Sequence, residues 1–216
     1  MVYIFNDHSS VANHAIAEMR DIDIQQDRAK FRTNLKKLGW FMAYELSKKL
    51  DFAKKEIKTP LGTSEISLIN EEIVLATILR AGLPFYQGFI EVFDKAQSAF
   101  IGAYRAESEN EGEEIFINME YMASPLVEDK TLIIIDPMLA TGKSLIKSYE
   151  SLIQRGKPHC THLVAAIASK PGVEYVKQKL PDSNIWLGAL DDTLNKQSYI
   201  VPGLGDAGDL SFGEKI

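Results

Sequence analysis

The sequence predicts an α/β fold, a doubly wound and mostly parallel sheet, on three observations. Five short β-rich runs, at Glu72–Leu79, Ser98–Tyr104, Thr131–Asp136, His162–Ala168 and Asn184–Leu190, alternate with helix-compatible segments near 84–96, 143–155 and 171–180. Two runs, LIII and LVAAIA, are continuously apolar, as strands are when helices cover both faces of a sheet. In residues 27–50, Phe31, Leu35, Leu38, Met42, Leu46 and Leu50 stand three or four apart, which lines one face of a helix. In such a fold ligands bind beyond the carboxyl ends of the strands.

Taken in order, the chain opens with a helical segment over about 9–50, packed on one domain that spans 1–216. The strand–helix alternation follows, interrupted by the acidic stretch Glu107–Glu114, ESENEGEE, which reads as a solvated loop. The last 18 residues, YIVPGLGDAGDLSFGEKI, carry four of the 14 glycines and read as irregular rather than as a regular helix. Tyr199-Ile200-Val201, then Pro202 and spaced glycines, suggest a fixed loop whose backbone approaches something, or a frayed tail.

Composition narrows the partners. With 45% hydrophobic and 25% charged residues, the 216-residue chain has ample apolar side chains for a core. The net charge of −6 argues against a nucleic-acid or membrane surface, so any phosphate site must be local. A lone cysteine, Cys160, excludes an intrachain disulfide and a cysteine-only metal cluster. No leader-like segment or membrane-length apolar run is present, and the expected location is the cytoplasm.

The stretch Ile133–Ser144, IIIDPMLATGKS, carries the chemistry. Its end resembles a P-loop, but the first glycine of that motif falls on Pro137, which has no N–H and a fixed φ; this removes the NTPase and nucleoside-kinase readings. What remains is a buried strand ending in Asp136, then small and hydroxyl residues opening a helix at Gly142. Backbone N–H groups of 140–144 and the hydroxyls of Thr141 and Ser144 could surround a phosphate monoester, with Asp136 near sugar hydroxyls. The alternative is a plain strand–turn–helix in which Thr141 only caps.

Hydrophobic run, acid and A-T-G-x-S resemble the 5-phosphoribosyl 1-diphosphate (PRPP) motif of type I phosphoribosyltransferases, and DPMLATG is the variant typical of uracil phosphoribosyltransferases. Ile78-Leu79-Arg80-Ala81-Gly82-Leu83 resembles that family's pyrophosphate loop, and Ile101-Gly102-Ala103-Tyr104-Arg105 its second arginine segment. Tyr199–Asp209, YIVPGLGDAGD, is similar to its uracil-binding tail, and FRTNLKKLG in the long helix extends a weaker likeness toward the N-terminus.

The resemblance implies a type I phosphoribosyltransferase-like sheet with a small hairpin arm and a C-terminal base-binding loop. It implies transfer of ribose 5-phosphate from PRPP to N1 of uracil, giving UMP and pyrophosphate in pyrimidine salvage, with Mg2+ on the diphosphate. By the same resemblance PRPP is bound by Arg80, Arg105, Asp136, Pro137, Met138, Leu139, Ala140, Thr141, Gly142, Lys143, Ser144 and Asp206. Uracil is bound by Ile200, Gly205, Asp206 and Ala207, while Arg80, Arg105 and Asp206 act in catalysis. The protein alone holds no metal, with Asp206 its one acidic contact to Mg2+. A homodimer or higher even oligomer is implied, and because some members respond to GTP, GTP is a candidate effector. The competing readings are transfer to another base, or a PRPP- or nucleotide-sensing regulator of the same fold, which the acidic balance disfavours if it binds RNA.

Departures from the family pattern are local. Lys143 replaces a small or polar residue and reads as a solvated helix-start side chain. Ala106 replaces a polar or acidic residue, residues 107–122 match the family's hairpin arm poorly, and Leu210 and Ser211 replace a basic and an apolar residue. The four histidines, His8, His14, His159 and His162, lie outside every motif and read as structural.

Overall fold

Apolar periodicity in the first third becomes a short edge strand β1 (Val2–Ile4) and two helices, α1 (Ala12–Arg20) and α2 (Arg28–Ser47). Asp27 starts α2 by accepting hydrogen bonds from Ala29 N and Lys30 N, satisfying two first-turn donors. The stripe Phe31, Leu35, Leu38, Met42 and Leu46 is buried, as its spacing predicts. The computed structural model describes residues 1–105 and 117–215; side chains of 103–105 and 117–120 are outside the described atoms.

An antiparallel hairpin of β2 (Phe52–Thr59) and β3 (Gly62–Ile69) follows, largely exposed along both strands. No element was expected there. An exposed hairpin thus stands at 52–69, where a Pro-Leu-Gly turn joins two mostly polar runs. Of the segment to which the arm was assigned, Ile117–Met122 instead belongs to β6 of the main sheet, and 107–116 and Ala106 lie outside the described residues.

The remaining chain alternates as expected: β4 (Ile73–Leu79), α3 (Gly82–Val92), β5 (Gln97–Arg105), β6 (Ile117–Ala123), β7 (Thr131–Ile135), β8 (Met138–Leu139), α4 (Lys143–Leu152), β9 (Cys160–Ser169), α5 (Lys170–Lys179) and β10 (Asn184–Asp191). Two short strands, β11 (Thr193–Leu194) and β12 (Ile200–Val201), pair with each other, and α6 (Ala207–Phe212) ends the fold. Among the described residues the main sheet has the order β1-β10-β9-β7-β4-β5-β6, with β8 on β9; only β6 runs antiparallel to its neighbour. Side chains alternate between two cores. Ile73, Leu75, Ile133 and Ile135 pack with α1, α2 and α3 on one face; Val74, Ala76, Leu132 and Ile134 pack with α4 and α5 on the other. From β4 the chain crosses to β5 on one side, and later returns to β7 on the other. A reversal of this kind is where a doubly wound sheet places its crevice, here at the carboxyl ends of β4 and β7. Among the described residues no helix is long and apolar enough to cross a membrane.

His162 sits in the core of the opposite, amino-terminal half of the sheet. Trp186 Nε1 donates to its Nδ1 (3.0 Å), which fixes the neutral tautomer with the proton on Nε2, 3.4 Å from Cys160 Sγ. Burial, helped by the positive amino terminus, pushes its pKa from 6.5 down to about 4. The unfolded chain takes up this proton below pH 6.5 and the folded chain does not until about pH 4, so stability falls as pH drops through that window. The expected loss is about 3 kcal/mol at the acid end. Urea midpoints followed by tryptophan fluorescence from pH 7 to 4.5 measure it, and His162→Gln should flatten the acid limb; an unchanged limb would assign the acid sensitivity elsewhere.

Candidate active site

The loop after β4 brings Arg80 to the crevice. Thr77 Oγ1, buried in β4, donates to Ile135 O of β7 (3.3 Å), tying the two central strands together where α3 begins. Arg80 precedes that helix with its side chain partly exposed. Its Nη2 donates to Asp209 Oδ1 (3.2 Å) and to Gly213 O (3.2 Å), so this arginine holds the C-terminal tail over the end of β4. A Cβ placed on Gly208 would lie 3.8 Å from Ala81 Cβ and 4.0 Å from Arg80 Nη2, which measures how closely α6 abuts this loop.

The second loop leaves β7. Asp136 N donates to Val164 O (3.1 Å), Asp136 Oδ1 accepts from Met138 N (3.2 Å), and Ile167 N donates to Pro137 O (3.0 Å). The chain therefore stays hydrogen-bonded to β9 through β8, and Met138–Leu139, expected as loop, continue the sheet edge as a strand. Ala140 O then accepts from the buried Ser169 Oγ (2.6 Å), which in turn accepts from Gly172 N (3.0 Å) and caps α5. Gly142 is the N-cap of α4 at φ +77°, a conformation that lets Thr141 and Lys143 turn at the helix start. Thr141 Oγ1 accepts from Lys143 N at 3.4 Å, a weak local cap. Ser144 lies in the first turn, half-buried. Lys143 is half-buried at the helix start, less exposed than the solvated side chain expected there.

The tail is ordered. Ile200 is buried in β12, Leu204 and Ala207 are buried, and Gly205 is exposed at φ +94°. Asp206 Oδ1 accepts from Gly208 N (2.8 Å) and Asp209 N (3.0 Å) and nucleates α6, so the irregular tail does contain one short helix. Capping outweighs glycine content at this point. Ala140, Ile200, Leu204 and Ala207 share one buried cluster, with Ala81 and Met138 packed against it. The pyrophosphate-loop, PRPP-motif and tail segments, spread from residue 78 to 209, are thus brought together. Arg105 ends β5, with its backbone opposite Ile117; its side chain lies outside the described atoms.

Sequence reasoning missed Ser169, Asp191, Asp209 and Arg20. Asp191 had a signal of the same kind as Asp136, an acid directly after an apolar strand, IWLGAL. Arg20 and Ser169 had none, because their partners are distant in sequence.

A family model described as uracil phosphoribosyltransferase matches residues 6–214. Curated uracil phosphoribosyltransferases of Porphyromonas gingivalis and Pyrococcus furiosus are 47% and 37% identical to the chain, over 100% of it and over 99% and 91% of their own lengths. A solved structure from Aquifex aeolicus matches with a TM-score of 0.88 at 33% identity, covering 100% of both chains. The parallel sheet, the crevice at its switch point and the glycine-rich tail folded over it are therefore found in a chain that belongs to the uracil phosphoribosyltransferase family.

Proposed function

We propose that the chain, as one domain over 1–216, transfers ribose 5-phosphate from PRPP to N1 of uracil, forming UMP and pyrophosphate. The observation that carries this reading is the tail, YIVPGLGDAGD, held over the end of β4 by Arg80 through Asp209 and Gly213, beside the loop that follows Asp136. In the reaction the bond between ribose C1 and the diphosphate breaks with its electron pair on the diphosphate, N1 of uracil bonds to C1, and the N1 proton is released.

Each segment then has a task. Residues Ala140 to Ser144 hold the 5-phosphate at the start of α4, with Pro137, Met138 and Leu139 fixing the loop to β9. Asp136 accepts from ribose hydroxyls. Arg80 and Arg105 take the charge that develops on the diphosphate, where guanidinium groups pair bidentately with its oxygens. Backbone groups of Ile200, Gly205 and Ala207 match the alternating donor and acceptor edge of uracil and leave buried groups unpaired against cytosine. Holding both substrates in line supplies most of the rate.

Among the described residues no cluster of three or more His, Cys, Asp or Glu side chains forms a metal cage. In the proposed reaction Mg2+ would be carried on diphosphate oxygens and waters, where it would neutralise leaving-group charge. Asp206 Oδ1 is committed to the helix cap, so contact with that ion or its waters falls to Oδ2. The setting we infer is cytoplasmic pyrimidine salvage in a homodimer or larger even assembly, with GTP a candidate effector.

Protein incubated with PRPP, Mg2+ and uracil, cytosine, hypoxanthine or orotate tests the assignment. UMP from uracil alone is expected. Asp206→Asn keeps a good helix cap and removes the charge, so it should lower the rate about 10- to 100-fold at unchanged thermal stability. PRPP binding without nucleotide from any base would overturn the transferase reading.

A further inference from the structure

Behind the tail lies a hydrogen-bonded clamp built from the N-terminal helices and the end of β10. Arg20, in the last turn of α1, pairs with Asp191 through both nitrogens, Nη1 to Oδ2 (2.8 Å) and Nη2 to Oδ1 (2.8 Å). The same Nη1 donates to Gly203 O (3.0 Å), and Asp191 Oδ2 accepts from Gly203 N (2.9 Å). Both polar backbone groups of Gly203 are thereby captured. Asp191 is 8% exposed, so the pair is shielded from solvent on the carboxylate side.

Gly203 itself occupies a position only glycine fits. Its φ is +58°, and a Cβ there would meet Ile200 O at 2.2 Å. The turn 200–203 is therefore tight, and the clamp closes on its apex. On either side stand Ile200, buried in β12, and Gly205 to Ala207, leading into α6. The clamp sets the separation of these two groups. Arg32 Nη1 reinforces it by donating to Ser211 O (2.7 Å), and Gln25, with its amide oriented to satisfy both groups, donates to Leu204 O and Met19 O (2.9 Å each).

Resting on the proposed base assignment of Ile200, Gly205 and Ala207, we infer that Arg20 and Asp191 are positioning residues for uracil: they act through Gly203 to hold the backbone that reads the base. Since Gly203 N and O are already bonded, Gly203 does not read the base itself. Among the described residues, the side-chain hydrogen bonds of Arg20 and Asp191 go to each other and to Gly203, and none goes to the loops assigned to PRPP at 78–83 or 136–144. Their loss should therefore move one substrate constant and not the other.

The test is steady-state kinetics of full-length wild-type, Arg20→Gln, Arg20→Lys and Asp191→Asn proteins, varying uracil and PRPP separately, beside thermal melts. Arg20→Gln should raise KM for uracil by about tenfold or more, as expected for losing hydrogen bonds between charged groups. KM for PRPP should stay within about twofold. Arg20→Lys keeps the charge but not the fork, and should recover part of the uracil affinity. A lower melting temperature with both KM values unchanged, or equal increases in both, would overturn the clamp as a base-positioning device. Should Arg20→Gln fail to fold, Arg20→Lys and Asp191→Asn carry the same comparison. No UMP from wild-type would overturn the transferase reading; UMP from wild-type with an unaltered uracil KM in every variant would overturn this inference alone.

Discussion

Replacing Arg80 by alanine is expected to lower kcat for UMP formation by about 10²- to 10³-fold, the loss seen when one preorganised donor to developing negative charge is removed. The physical reason is the leaving group. Diphosphate departs with charge spread over several oxygens, and a guanidinium offers two parallel donors to them, whereas water offers none in fixed positions. Arg80 also binds Asp209 Oδ1 and Gly213 O, so its removal loosens the tail as well. Two further variants separate these effects. Asp209→Asn weakens the tail contact while leaving the guanidinium in place, and should affect KM for uracil more than kcat. Arg80→Lys keeps a positive charge without the fork and should fall between wild-type and alanine. Equal losses of kcat in Asp209→Asn and Arg80→Ala would make Arg80 a tail anchor only.

The second large effect is expected at Gly142. Alanine there adds about 1–2 kcal/mol of backbone strain at a positive φ. Its Cβ would also stand 2.9 Å from Val176 Cγ2 and 3.0 Å from Gly172 O, contacts that cannot both relax, because Gly172 is itself pressed against Ala140 O. The start of α4 must then move away from α5, and with it the backbone assigned to the 5-phosphate. KM for PRPP should rise roughly 30-fold, about 2 kcal/mol of binding, with a smaller change in KM for uracil. Thermal melts should show a loss of about 1–3 kcal/mol. An unchanged KM for PRPP would place the 5-phosphate elsewhere.

Which parts of this could be read from residues alone follows from the range of the interactions involved. Strand and helix periodicity is local, so β4, β7, β9, β10 and α2 are legible from the spacing of apolar residues. The turn at Gly142 is legible because Pro137 excludes a P-loop and glycine permits a left-handed cap. The hairpin at 52–69 escaped because both its strands are largely exposed and it buries no continuous apolar face. The short helix α6 escaped because the four glycines of the tail argued against it, while the side chain of Asp206 supplied the cap that decided it.

By itself the sequence determined the layered α/β class, the strand, turn and helix start that follow Asp136, and the four family segments, since each depends on residues close together in the chain. Only the tertiary structure decided how they meet. Arg80 reaches Asp209, Ser169 reaches Ala140 and Arg20 reaches Gly203 across separations of 129, 29 and 183 residues. No periodicity encodes such pairs. They arise because the chain reverses its winding between β4 and β7 and the tail then folds over the crevice, so unpaired polar groups at strand and helix ends find one another there.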